Sequence, residues 1–230
     1  MIPELVLELT SNEINHLKSL RIFQEDKTIL VLDGEGTSYF YRFPPGSRQG
    51  ELIPNSQIIH TPLHSQIVAG AIPKGNRFDT LLRMGTEIGV TEFHFFSWER
   101  SVREVFSIER AERILVEAAS QSERIFLPRI FQYNTWRDFL TVQEPEKLLA
   151  LDPDADISLK WEEVRGKIPL IGPEGGFSPE EIDMFQEKRI PVRNLGMGIM
   201  RMETAYIFIA SIMRQLELEI QEYGEKKEEI

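Results

Sequence analysis

Two short segments combine glycines, acids and one arginine at spacings from which chemistry can be read. The first is LIGPEGGFSPEEIDMF, residues 170–185, an apolar run that passes through a glycine-rich turn into a helix start. Ser178 suits the N-cap, Pro179 the first helical position, and Glu181 completes a Ser-x-x-Glu capping box. Backbone groups left open by Gly172, Gly175 and Gly176 can hold a ligand there. Free amides at a helix N-terminus attract phosphate, but Glu174, Glu180 and Glu181 oppose an anion at that end. The turn carries neither Gly-Lys-Ser/Thr nor the G-x-G-x-x-G spacing of dinucleotide sites. A ligand without phosphate fits better, and one bearing positive charge fits best. The second segment, NLGMGIMRMETA at 194–205, again follows a strand pattern and precedes a helix, with Gly196, Gly198 and Arg201 inside it. Ligands of open α/β sheets sit beyond the carboxyl ends of strands, so two such loops can close over one small molecule. Either loop taken singly is equally well a tight connection.

Both loops need strands before them and helices after them. From residue 66 onward strand and helix patterns alternate: QIVAGAI, a helix over Arg77–Ile88, TEFHFF, then a helix over Ile108–Arg124. They continue with KLLALD, KIPLIG, a helix over Pro179–Lys188, IPVRNLG, and a last helix from about Glu203 to Glu222. This alternation predicts an α/β fold with a largely parallel sheet covered by helices. Upstream, TILVLDGEGTSYFYRF at 28–43 holds two β-rich runs around Asp33-Gly34-Glu35-Gly36, a hairpin pattern. With the runs near the start, it predicts a small β-rich unit over 1–68 and a larger domain over 69–230.

Composition narrows the function classes. Hydrophobic residues make up 41% of the 230, yet no stretch reaches the length of a membrane span. The first residues, MIPELVLELTSNEINHL, carry acids and lack the basic start and apolar core of a signal peptide. There is no cysteine, which removes disulfides and thiolate metal sites and fits a cytoplasmic chain. His16, His60, His64 and His94 are scattered without metal-ligand spacing, so no metal is expected. The net charge is −11, but residues 217–230 alone hold six acids and two lysines. The middle of the chain is rich in arginine, including Arg77, Arg83, Arg100, Arg103, Arg110, Arg113, Arg124, Arg129 and Arg137. A local basic surface is therefore compatible with the total; pairing of those arginines with neighbouring glutamates is the alternative.

IGPEGGFSPEE followed by LGMGIMRMETA resembles the paired motifs of the RsmE family of SPOUT-class methyltransferases, which modify N3 of a uridine in 16S ribosomal RNA with S-adenosylmethionine. The likeness spans most of the chain. HLKSLRIFQEDKTILVLDGEG (16–36) is similar to the opening of the family's PUA-like β-barrel. KGNRFDTLLRMGTEIGVTEFHFFSWERSV (74–102) resembles its first strand-helix-strand unit, and EAASQSERIFLP (117–128) a further helix. The resemblance implies a PUA-like RNA-binding domain followed by a SPOUT domain with a trefoil knot, a homodimer, and the small ribosomal subunit as partner. It also places the cofactor among Leu151, Gly172, Gly175, Gly176, Leu195, Gly196, Ile199, Met200 and Thr204.

Methylation of N3 requires loss of the imide proton and alignment of the nucleophile with the methyl carbon. Alignment supplies several kcal/mol of the barrier reduction, and a nearby cation favours the developing anion. Arg201 is the candidate cation, with an ion pair to Glu203 as its structural alternative. Glu174 is the candidate proton acceptor. Arg21, Arg77, Arg100 and Arg124 are the candidate RNA contacts. The chain departs from the family pattern at Gly198, where an arginine is usual, and at Met84, where a lysine is usual. Besides an active methyltransferase, two other readings are weighed: a non-catalytic RNA-binding or ribosome-assembly protein on the same fold, and a nucleotide-dependent enzyme. Retained glycines in both loops favour the first, and the acids beside the turn weigh against the last.

Overall fold

The computed structural model describes residues 4–61, 65–102, 105–196 and 198–228; Arg103 and His64 lie outside them. Its contacts divide the chain into two compact units, Met1–Leu63 with Arg124–Leu127, and the remainder.

The first unit contains β1 (Val6–Glu8), α1 (Ser11–Ser19), β2 (Lys27–Leu32), β3 (Thr37–Phe43), β4 (Gln49–Leu52) and β5 (Ile58–Ile59). The strands form an antiparallel sheet of order β1-β4-β3-β2, with β5 also on β3. The expected hairpin is present as β2 and β3, closing at Leu32 opposite Ser38. Asp33 shapes its turn, Oδ1 accepting from the backbone N–H groups of Glu35 and Thr37 at 2.8 and 2.9 Å. Residues 124–127 join this unit through Leu127 N–H, which donates to Gly34 O at 2.8 Å. Helix α1 is an addition to the β-rich expectation. Thr10 and Glu13 form a capping box that starts it, and Ile14 and Leu17 pack with Phe23, Tyr39, Tyr41 and Phe43.

The second unit contains β6 (Ile67–Gly70), α2 (Asn76–Ile88), β7 (Glu92–Ser97), α3 (Ile108–Gln121), β8 (Arg129–Thr135) and α4 (Trp136–Leu140). It continues with β9 (Leu148–Leu151), β10 (Ile168–Ile171), α5 (Pro179–Glu187), β11 (Val192–Arg193) and α6 (Met202–Glu228). Six strands pair in the order β11-β9-β10-β6-β7-β8, and every pairing is parallel. The mixed α/β architecture with a parallel sheet is as the alternation predicts. Every residue of β9 and β10 is buried, which is why these strands read as continuous apolar runs. The alternation does not predict β8 or α4, and α3 ends at Gln121 rather than at Arg124.

Strand β8 adds a polar cluster to an apolar wall. His94, 3% exposed on β7, shares hydrogen bonds with Tyr133 Oη and Glu92 Oε2, both at 2.9 Å. Its ring stacks on Phe131 with centroids 4.6 Å apart. Burial lowers the imidazole pKa, against the raising effect of Glu92. A folded-state pKa below the unfolded value means that the unfolded chain takes up protons first as pH falls. The stability associated with His94 is therefore present above about pH 6.5 and lost below it. Thermal melts at pH 7.0 and 5.5 should show a smaller drop for His94→Gln than for wild type. An unchanged drop would assign the pH dependence to other groups.

Candidate functional site

The parallel register brings three strand ends level. Ile171 pairs with Leu151, and Leu151 with Arg193, so β10, β9 and β11 finish side by side. The chain leaves them as Asp152–Pro153, as the Gly172–Phe177 loop, and as the 194–201 loop. Between these exits lies a cleft. Its walls are Leu151, Asp152 and Pro153 from the end of β9, and Ile171 from β10. Leu195, Gly198 and Met200 come from the second loop, and Ala205 from the first turn of α6. The enclosed space is about 60 Å³, widening to about 400 Å³ with its open mouth. A larger cavity of about 230 Å³ lies beside Gln66, Val164 and Arg165. Those residues precede β6 and β10, so it occupies the amino end of the sheet, away from the carboxyl ends where α/β ligands bind.

The local sequence explains each exit. Ser178 Oγ accepts from Glu181 N–H at 3.2 Å while Glu181 Oε2 accepts from Ser178 N–H at 2.7 Å, the anticipated capping box. Glu181 is fully buried, and burial raises its pKa against the hydrogen bonds it accepts. Glu180 pairs with Arg137. Two of the three acids at the start of α5 are thus engaged, and Glu174 is exposed. Asn194, which the sequence reading did not single out, ties the second loop to the 153–159 segment. Its Oδ1 accepts from Gly196 N–H at 2.8 Å and Ser158 Oγ at 3.0 Å, while Nδ2 donates to Ala155 O at 2.6 Å. Only its type and its place just after a strand hinted at this.

Of the candidate cofactor residues, Leu151, Leu195 and Met200 line the cleft. Gly172, Gly175 and Gly176 sit on the loop directly after Ile171, and the ring of Phe177 packs 3.1 Å from where a Cβ on Gly172 would lie. Gly196 and Thr204 are exposed, and Ile199 is 89% exposed. Asp152, Pro153, Ile171 and Ala205 complete the walls and were not anticipated. Gly198, singled out as a departure, faces the cleft, and a Cβ there would meet nothing within 4 Å. Met84 is 41% exposed on α2.

Arg201 is exposed, and its carbonyl accepts from Ala205 N–H at 2.9 Å. The ion pair recorded for Glu203 is with Arg77, at 3.8 Å. Arg100 directs its guanidinium to the carbonyls of Gly175 and Phe177. Arg21 and Arg124 belong to the first unit. Among the described residues no group of His, Asp and Glu is placed to hold a metal ion, and no helix is long and apolar enough to cross a membrane.

The parallel α/β sheet and the cleft at the ends of its last strands lie within residues 60–214, which match the RNA methyltransferase domain family. The chain is 31% identical to the ribosomal RNA small subunit methyltransferase E of Mesomycoplasma hyopneumoniae, over 87% of this chain and 90% of that protein. It is also 31% identical to the protein of the same name from Synechocystis, over 88% and 72% respectively. It belongs to the ribosomal RNA small subunit methyltransferase E (RsmE) family. The fold is shared with the solved Neisseria gonorrhoeae ribosomal RNA small subunit methyltransferase E bound to S-adenosyl methionine. That likeness has a TM-score of 0.77, covers 94% of both chains and comes with 24% identity.

Proposed function

We propose that this chain methylates N3 of a uridine in 16S ribosomal RNA of the small subunit, using S-adenosylmethionine. The observation that carries the reading is the cleft where β9, β10 and β11 end level. It has apolar walls for an adenine ring, open space above Gly198, and one carboxylate, Asp152, in its lining. A ligand that carries a cation and no phosphate suits that lining. The proposed pocket residues are Leu151, Leu195 and Met200 in the walls, and Gly172, Gly175, Gly176, Gly196, Ile199 and Thr204 around the mouth.

When bound, the cofactor supplies an activated methyl group on sulfur. The protein's part is to seat the uridine, accept the N3 proton at a Glu174 carboxylate oxygen, and hold the Arg201 guanidinium near the developing imide anion. The N3 proton would pass to the Glu174 carboxylate, and N3 would take the methyl group that the cofactor would give up from its sulfur.

The finer fold assignments belong to the same reading. The first unit is a PUA-like barrel that serves RNA, with Arg21 and Arg124 of that unit and Arg77 of the second contributing contacts. The second unit is a SPOUT domain with a C-terminal knot. The sheet order supports this, because β10 is inserted between β9 and β6 while β11 returns to the far side of β9. A cytoplasmic homodimer assembled through α6 completes the reading. Phe208 and Trp161, in edge contact at 5.8 Å, lie partly exposed on that helix and beside it.

The test joins binding and product. Calorimetry should give micromolar affinity for S-adenosylmethionine, roughly −7 to −8 kcal/mol. Mass spectrometry of small subunits lacking the modification should then find one new methyl on a uridine base. Tight cofactor binding without transfer to any ribosomal substrate would favour the non-catalytic reading.

A further inference from the structure

The segment that follows β7 grips the loop that follows β10. Trp98 Nε1 donates to Ile171 O at 3.0 Å, and Glu99 N–H donates to Glu181 Oε1 at 2.8 Å. Between them, Arg100 Nη1 donates to both Gly175 O and Phe177 O, each at 3.1 Å. The side chain lies across the loop, its Cβ 3.2 Å from where a Cβ on Gly175 would stand. Three consecutive residues thus hold the loop at its start, its middle and the helix it enters.

The loop needs such a brace. Three of the six residues from Gly172 to Phe177 are glycines, whose backbones are the least restricted in conformation. A ligand that binds through such a loop must order it, and any contact that orders it beforehand improves affinity. Arginine suits the task, because a charged donor makes stronger hydrogen bonds to carbonyls than a neutral one.

We propose that Arg100 is a positioning residue for the cofactor: its guanidinium fixes the Gly172–Phe177 loop in the shape that receives S-adenosylmethionine, and it does not act as an RNA phosphate contact. This rests on the cofactor reading above. Its assignment differs from the role that an exposed arginine near an RNA-modifying site first suggests.

The two roles give opposite results in one pair of measurements. Arg100→Met keeps the apolar stem and removes the donors. The variant should bind S-adenosylmethionine about ten-fold more weakly, the scale of losing charge-assisted hydrogen bonds, with a matching rise in KM. At saturating cofactor, kcat should stay within about three-fold, and Arg100→Lys should recover part of the affinity. Affinity for a 16S ribosomal RNA transcript, and its slope against log salt, should be unchanged. A phosphate contact predicts the reverse, with unchanged cofactor affinity, weaker RNA binding and a slope reduced by about one. That result would overturn the proposal. So would unfolding of both variants, which would make Arg100 a structural residue only. Failure of the unmodified protein to bind S-adenosylmethionine would defeat the cofactor reading itself, before any variant is made.

Discussion

Replacement of Gly196 by valine is expected to leave a folded protein that no longer binds S-adenosylmethionine measurably by calorimetry. Gly196 has φ +69°, a left-handed conformation that costs an ordinary L-residue roughly 1–2 kcal/mol and a β-branched one more. The position is exposed, and a Cβ there would meet nothing within 4 Å, so the fold has no reason to fail. The damage is local. Leu195 lines the cleft, and Gly196 N–H is held by Asn194 Oδ1; a strained residue shifts that anchored turn while its methyl groups enter the mouth. Gly196→Ala separates the two causes, since it carries most of the strain and little of the bulk. Wild-type affinity in a folded Gly196→Val would place the pocket elsewhere.

Gly70→Ala should do the opposite and destroy the fold. Gly70 ends β6 at φ +142°, and a Cβ added there would stand 2.1 Å from Ile171 O, 2.8 Å from Ile171 N and 2.7 Å from Tyr206 Oη. None of these atoms can step aside cheaply. Ile171 O accepts from Ala71 N–H at 3.0 Å, and the Tyr206 hydroxyl, on a fully buried side chain, donates to Ala71 O at 3.0 Å. One methyl group therefore breaks the joint between two central strands and the last helix. A cost above about 4 kcal/mol is the scale of such core failures and a large share of the 5–15 kcal/mol typical of a whole domain. Circular dichroism and soluble yield should show a variant that fails to fold at 37 °C. A melting temperature within a few degrees of wild type would mean that β6 and β10 part easily.

What the sequence disclosed was governed by locality. The strands of the parallel sheet were readable because both their faces are buried, giving unbroken runs such as the fully buried LLAL and IPLI. The hairpin turn and the Ser178–Glu181 box were readable because their hydrogen bonds join residues two to four apart. Strand β8 escaped because it is an edge strand whose residues are mostly half-exposed, so neither a period of two nor an apolar run marks it. Helix α1 is not marked in the sequence despite its Thr10–Glu13 box, since among its described side chains only Ile14 and Leu17 join the buried core. Within the site, Leu151 is marked by its position at a strand end, and Leu195 by the resemblance of its loop to the family motif. Asp152 and Asn194 gain their roles from folding, and the Arg100 bonds span 75 and 77 residues. No local pattern records a contact of that range.

The insertion of β10 between β9 and β6 sets a schedule for synthesis. β6 ends at Gly70 and its inner neighbour begins at Ile168, about 100 residues later. At roughly 5–20 residues per second, a nascent chain spends about 5–20 s with the inner edge of β6 without its neighbour, and for about the last third of that time, once β8 has ended at Thr135, β7 and β8 are available to pair as well. An open strand edge is a template for another chain. During that interval the newborn protein depends on its own helices, or on a chaperone, to keep neighbouring chains off that edge. Ribosomes crowded on one messenger would present several such edges at once, so aggregation of this protein should be more sensitive to translation rate than to the stability of the finished fold.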